Sequence, residues 1–312
     1  MINSTSNNSA KFAFFYALSL VALVFMATSV GMIIFQIINK NIIDVIDQYS
    51  SNYSPTDLKL AISALIISAP IFYFTIWQIF KNLITGALSK DSAIRRWLTY
   101  FILLIVSIVM IGWFIGAINN FLGGEITVKF ILKAITAILI SAIIFTFYFY
   151  DIKREDVDKK NNKIILTYFY CSLIIIVAVF IASLFFVESP AKTRNRKLDN
   201  AILQRFDRID SEIQSYYIDK KKLPDNFKVL LAGQSYLNSD DLKDPATNVA
   251  FDYKVSGGGS YQLCANFRLS NKDKNIQDEG MNDNFKERWS HEIGYQCLNQ
   301  KIAVPLIDVI KK

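Results

Sequence analysis

Residues 164–190 read IILTYFYCSLIIIVAVFIASLFFVESP. No residue from Ile164 to Val187 is charged, and Glu188, Ser189 and Pro190 then end the run abruptly. A helix crossing a bilayer core about 30 Å thick, rising about 1.5 Å per residue, needs about 20 apolar residues. This stretch supplies them, and it also divides the chain. Up to Val187 there are 14 Lys and Arg against 9 Asp and Glu, whereas from Glu188 onward there are 20 and 18. The first 187 residues therefore carry 23 charges and the last 125 carry 38. Such sorting is what a membrane segment followed by a water-soluble domain requires. The net charge of +7 divides into +5 and +2, which leaves no strongly basic domain and disfavours nucleic acid as a partner.

Working back from this run, four more of comparable length appear. The five are Phe12–Ile38, Leu60–Phe80, Trp97–Ile118, Val128–Tyr150 and Ile164–Val187. None shows the polar face at a period of about 3.6 residues that a soluble core helix would carry. The first run is longer than a signal-peptide core and lacks a small-x-small cleavage site, so it reads as an uncleaved helix. The expected fold class is thus an all-α membrane bundle of five transmembrane helices over residues 1–187, followed by an α+β domain over 188–312. Lys81, Lys90, Arg95 and Arg96 fall between helices two and three, and Lys153, Arg154, Lys159, Lys160 and Lys163 between four and five. The other loops hold Lys40, Lys59 and, at a helix edge, Lys129. The positive-inside rule then puts the N-terminus in the cytoplasm and everything after Val187 outside.

Ionisable groups deep in a membrane are costly and mark transport chemistry, and the apolar runs offer almost none. Lys129 and Lys133, one turn apart, can share a face with Glu125 and reach the interface as anchors, or form a substrate or ion site. Gly112 and Gly116 form a GxxxG, read as internal packing or as a dimer face. Pro70 falls inside the second run, and Trp77, Trp97 and Tyr100 lie near cytoplasmic ends, where amphipathic rings belong. The stretch also contains Arg95-Arg96-Trp97-Leu98-Thr99-Tyr100, Phe121-Leu122-Gly123-Gly124-Glu125-Ile126-Thr127, Lys129-Phe130-Ile131-Leu132-Lys133 and Phe147-Tyr148-Phe149-Tyr150-Asp151-Ile152-Lys153-Arg154. This pattern resembles a domain-of-unknown-function family of multi-pass bacterial membrane proteins, over residues 12–155. The resemblance implies the bacterial cytoplasmic membrane as location and the lipid bilayer as partner, and no activity.

Beyond Pro190 the spacing of Leu198, Ile202, Phe206, Ile209, Ile213 and Tyr217 predicts an amphipathic helix of about 20 residues, with Arg205, Asp207, Arg208, Asp210 and Glu212 largely on its other faces. Leu223-Pro224-Asp225 ends it, a helical turn is expected over Phe227–Leu231, and Asp244-Pro245-Ala246-Thr247-Asn248 is a turn. Ala250–Ser256 and Tyr261–Arg268 flank Gly257-Gly258-Gly259-Ser260 as a hairpin, and Ile293–Leu298 is a third strand. One long helix on a small antiparallel sheet follows. The order of Tyr216-Tyr217-Ile218-Asp219, Leu223-Pro224, Asp244-Pro245-Ala246-Thr247-Asn248 and Phe251-Asp252-Tyr253 resembles the heads of type II secretion pseudopilins and type IV pilins, over residues 195–267. In pilins the membrane helix is N-terminal, behind a leader, with a Glu five residues after the cut. Here four helices precede it and helix five has no Glu, so the resemblance implies a fixed outer head that binds envelope, pilus or secretion proteins.

Cys264 and Cys297 both fall in predicted strands and read as a structural disulfide or as two buried thiols, while Cys171 packs inside helix five. A bridge between them would be worth about 4 kcal/mol on the chain-entropy model. His291 is the only histidine, which excludes bis-His haem and multi-His zinc and leaves no cofactor indicated. Asp240, Asp241 and Asp244 form a solvated turn or a calcium loop of the kind some pseudopilins carry. The run Asn271–Asn284 reads as a mobile surface loop. No Ser-His-Asp set, P-loop or GxGxxG is present, so no enzymatic activity is expected. Two roles remain: a membrane protein presenting a binding domain, or a small transporter or channel for a weakly polar or lipid-like substrate.

Overall fold

The computed structural model describes residues 3–42, 53–85, 93–124, 127–154, 162–232, 236–272 and 283–302. The chain divides into two compact units, Met1–Val187 and Glu188–Lys312.

The first unit contains α1 (Asn3–Asn41), α2 (Pro55–Ile84), α3 (Ala93–Leu122), α4 (Val128–Lys153) and α5 (Lys163–Phe186). All five are long and apolar enough to cross a membrane. Their starts follow from local chemistry. The Ser54 hydroxyl accepts from the Asp57 N–H with Pro55 at the first helical position, and the Thr127 hydroxyl accepts from the Phe130 N–H. α1 packs mainly on α2, α3 on α4, and α5 on α1 and α2. The α1–α2 seam buries Ile33, Leu58, Ala61 and Leu65 almost completely and carries small residues such as Ser19, Ala22, Ser29 and Ser68. Lipid tails are as apolar as leucine, so helices in a bilayer associate through close van der Waals contact, and small side chains permit it. Gln36, buried on α1, accepts from the Ser54 N–H at 2.8 Å and fixes the start of α2. At the C-terminus of α5, the Phe186 carbonyl accepts from Lys40 Nζ at 3.3 Å and the Tyr53 hydroxyl at 3.0 Å. A cation there complements the helix dipole.

The second unit opens with α6 (Pro190–Lys220), followed by α7 (Phe227–Ala232), a short 3₁₀ turn (Ser239–Leu242), β1 (Asp252–Gly257), β2 (Ser260–Phe267), α8 (Asp283–Arg288) and β3 (Gly294–Lys301). Ser189 caps α6 through the Lys192 N–H, and Lys221 ends it in the left-handed region. Four predicted stripe residues, Ile202, Phe206, Ile209 and Ile213, are fully buried, and Leu203 joins them. They meet Tyr261, Leu263 and Phe267 of the central strand, together with Trp289 and Leu298. Each such side chain removed from water is worth about 1.5–3 kcal/mol, so this stripe holds the unit together. The sheet is antiparallel in the order β1-β2-β3. Its first turn needs glycine, because Gly257, Gly258 and Gly259 all have positive φ. The expected hairpin and third strand are present with their ends moved by one to three residues, whereas α8 was not expected from the run before it. Most of that run, residues 273–282, lies outside the described residues.

Candidate functional site

Charge is concentrated at one end of the five-helix unit. α3 starts two residues before Arg95, and α4 continues past Asp151, so two groups read as loop residues lie within helices. Arg95 Nη2 donates to Asp151 Oδ2 at 2.9 Å and to the Asp151 main-chain oxygen at 2.7 Å. Arg154 Nε approaches Asp151 Oδ1 at 3.3 Å, and its guanidinium lies 5.5 Å from the centre of the Phe80 ring on α2. All three charged side chains are buried: 5% exposed for Arg95, 11% for Asp151 and 6% for Arg154. Desolvating them costs several kcal/mol per ion, which only close pairing recovers. Among the described residues one carboxylate, that of Asp151, faces both guanidiniums. The hydroxyls of Tyr16 on α1 and Tyr148 on α4 are buried nearby without a hydrogen-bond partner among the described residues.

Beside this cluster lies a cavity of about 360 Å³. Leu23 and Met26 of α1, Phe72, Trp77 and Phe80 of α2, Phe147 and Tyr148 of α4, and Tyr168 and Phe169 of α5 line it, with Arg154 and Asn162 as its polar residues near the helix ends. The Tyr73 hydroxyl, 3.0 Å from the Ser172 hydroxyl, adds a polar contact farther in. Its volume falls in the range of ligand sites, which are mostly apolar with a few placed polar groups. A second cavity of about 240 Å³ between α1, α3 and α4 is lined by Val24, Gly31, Phe35, Val109, Trp113 and Ser141.

In the second unit the acidic residues read as a turn or calcium loop are each turned to a separate partner. Asp240 pairs with Lys243, and Asp241 accepts from the Asn238 N–H and pairs with Arg208. Asp244 accepts from the Ala246 and Thr247 N–H groups and pairs with Arg268 at 3.0 Å. Burial by itself would raise the Asp244 pKa, but the two N–H groups and the Arg268 guanidinium outweigh it and hold the carboxyl below its ordinary value. Arg268 also reaches Asp199 on α6, whose carboxylate accepts from the Arg268 and Leu269 N–H groups. Asp210, expected on the polar side of α6, is buried and meets the Tyr261 hydroxyl, Arg288 and Gln214. Burial and this carboxylate together push the Tyr261 phenol upward. These contacts tie α6, the sheet and the turn before β1 into one rigid body.

Cys264 and Cys297 stand opposite each other in the β2–β3 register, with Sγ atoms 2.15 Å apart in a disulfide. His291 is buried, stacked on Phe267 with ring centres 3.8 Å apart and with Nδ1 3.0 Å from the Trp289 carbonyl. Three readings of the first unit need correction. Cys171 is exposed on α5 instead of packed within the bundle. Lys129 is 3% exposed, so its side chain is packed within the protein and does not reach outward as an anchor. Lys133 is half-buried, and Glu125 lies outside the described residues. Finally, buried charge is present, at the helix ends. Local hydropathy missed it because Arg95 and Asp151 flank the apolar runs. The available signal was an acidic residue, Asp151, directly at the end of the fourth apolar run. Gly116 approaches Phe130 of α4, which is internal packing, and Gly112 has open space beside it.

No curated protein and no solved structure matches the chain. The family model for a domain of unknown function, DUF5671, matches residues 13–148, so a DUF5671 domain runs from α1 into α4, ahead of α5 and the second unit.

Proposed function

We propose that this is an integral protein of the bacterial cytoplasmic membrane, with its N-terminus inside and residues 188–312 outside, and that the outer unit acts by binding within an envelope assembly. The observation that carries this reading is the division of one chain into an apolar five-helix unit and a polar unit with its own core. The Cys264–Cys297 bridge supports an oxidising, external location for the second unit. A long helix laid on a three-stranded antiparallel sheet supports a pilin-like head. The ion pairs of Asp199, Asp210 and Asp244 make that head rigid, which suits a binding surface more than a catalyst. A reporter enzyme active only in the cytoplasm, fused at Lys312, is expected to be silent, and signal from it would overturn the topology. Co-purification of pilin-system proteins through residues 195–312 is expected, and their absence from a cross-linked membrane preparation would remove the assembly role.

The aromatic cavity favours a second reading, in which the five-helix unit holds or moves a weakly polar, lipid-like molecule. Such a substrate needs no ion-coordinating group at mid-depth, and the charge found here is at the helix ends. Lipid retained by the purified protein, and lost when Ile165→Trp fills the cavity, tests this reading.

A further inference from the structure

The polar contact deep in the aromatic cavity has a definite direction. Tyr73 of α2 and Ser172 of α5 both line the cavity, and their hydroxyl oxygens are 3.0 Å apart. Each hydroxyl has one proton to donate and two lone pairs with which to accept. The Ser172 proton has two acceptors within reach, the Phe169 carbonyl at 2.9 Å and the Tyr73 oxygen. Among the described residues the Tyr73 proton has one, the Ser172 oxygen. If Ser172 donated to Tyr73, the phenolic proton would be left without an acceptor in apolar surroundings, which is costly. Tyr73 therefore donates to Ser172, and Ser172 to the Phe169 carbonyl. Both protons are used within the protein, and what the pair can offer an occupant is the Tyr73 oxygen as an acceptor. The far lining residues on these helices are Ile84 and Asn162, so the pair is about 15–17 Å from those ends at the helical rise. That is about half of a hydrocarbon core, a depth at which an ionised group is costly. Phe72, Ile76, Phe147 and Phe169 make the surrounding wall apolar.

Resting on the lipid-like reading of this cavity, we infer that its occupant is an uncharged lipid alcohol, whose hydroxyl donates to the Tyr73 oxygen at mid-depth while its apolar body lies along the aromatic wall. An ether, ester or ketone of the same shape fits the wall but only accepts, and it finds no proton at this point. A plain hydrocarbon gains nothing from the pair. A hydroxyl in the surrounding lipid tails has no acceptor at all, so the Tyr73 oxygen gives the alcohol a reason to enter.

The test uses the full chain in detergent, offered dodecanol and its methyl ether in competition, with the bound mass read by native mass spectrometry and each probe referred to its own uptake by protein-free micelles. Wild type is expected to favour the alcohol about fivefold, the scale of one neutral hydrogen bond. Tyr73→Phe keeps the ring and removes the acceptor, so the preference is expected to fall to within about twofold. Ser172→Ala releases the Tyr73 proton, so the ether is expected to bind about fivefold more tightly than it does to wild type while the alcohol stays bound. A residue pair that only packs the two helices would not produce that gain. Both substitutions remove a bond between α2 and α5, so each variant is compared at equal recovery of monodisperse protein, and Ser172→Ala decides where Tyr73→Phe fails to fold. Equal binding of the two probes by wild type, an alcohol preference that survives Tyr73→Phe, or no gain for the ether in Ser172→Ala overturns the hydroxyl assignment and leaves the lipid-like reading standing. Wild type that retains neither probe above the micelle blank overturns both, as does retention that Ile165→Trp leaves unchanged.

Discussion

Arg95 holds Asp151 through two hydrogen bonds from one guanidinium nitrogen, to the carboxylate at 2.9 Å and to the main-chain oxygen at 2.7 Å. The contact joins the start of α3 to the end of α4, where bilayer-driven packing gives little specificity. It therefore fixes the register of these two helices.

If so, Arg95→Met should cost about 3 kcal/mol, because it strands a buried carboxylate beside a single remaining guanidinium. The double variant Arg95→Met with Asp151→Leu should recover at least half of that loss. Thermal aggregation followed in detergent measures both, and a single variant as stable as wild type would show the pair to be dispensable.

Reduction of the Cys264–Cys297 bridge should destabilise the second unit by about 4 kcal/mol on the chain-entropy model. Under native, non-reducing conditions only Cys171, exposed on α5, should react with a membrane-permeant maleimide. Alkylation of all three cysteines without reductant would contradict the bridge.

The Asp244 carboxyl titrates below its ordinary value in the folded chain. A lowered folded pKa means stability that is present above the unfolded value of 3.8 and lost as pH falls through the folded one. The full chain should therefore lose stability below about pH 4, and Asp244→Asn should flatten that acid limb while weakening the fold at neutral pH by about 2 kcal/mol. Chemical denaturation at several pH values reads both effects, and parallel acid limbs for the two proteins would exclude Asp244 as a contributor.

Phe206 packs edge-on against Phe251 and Phe267 and beside Trp289, and it is fully buried. Phe206→Ala should cost about 3–5 kcal/mol. Near-ultraviolet circular dichroism of the full chain should lose the aromatic signal at a lower temperature, and an unchanged midpoint would mean that α6 does not rest on this core.

What could be read along the chain was whatever one segment decides by itself. Run length and the absence of charge set five apolar helices, the stripe from Ile202 to Ile213 set the buried face of α6, and three glycines set the hairpin turn. Asp199 and Asp210 escaped that reading because helical periodicity assigns a charge to solvent unless its partner is known. Their partners, Arg268 and Arg288, are 69 and 78 residues away. The same holds for Arg95 and Asp151, 56 residues apart at the borders of two apolar runs.

The sequence by itself therefore determined which segments avoid water and where the chain changes solvent, because hydropathy is a property of each segment. Only the tertiary structure decided which charges meet, which thiol faces outward, and that aromatic side chains of α2, α4 and α5 line one cavity that reaches Arg154. Those depend on how helices pair, and in a bilayer pairing is governed by shape and by a few polar contacts that no single helix contains.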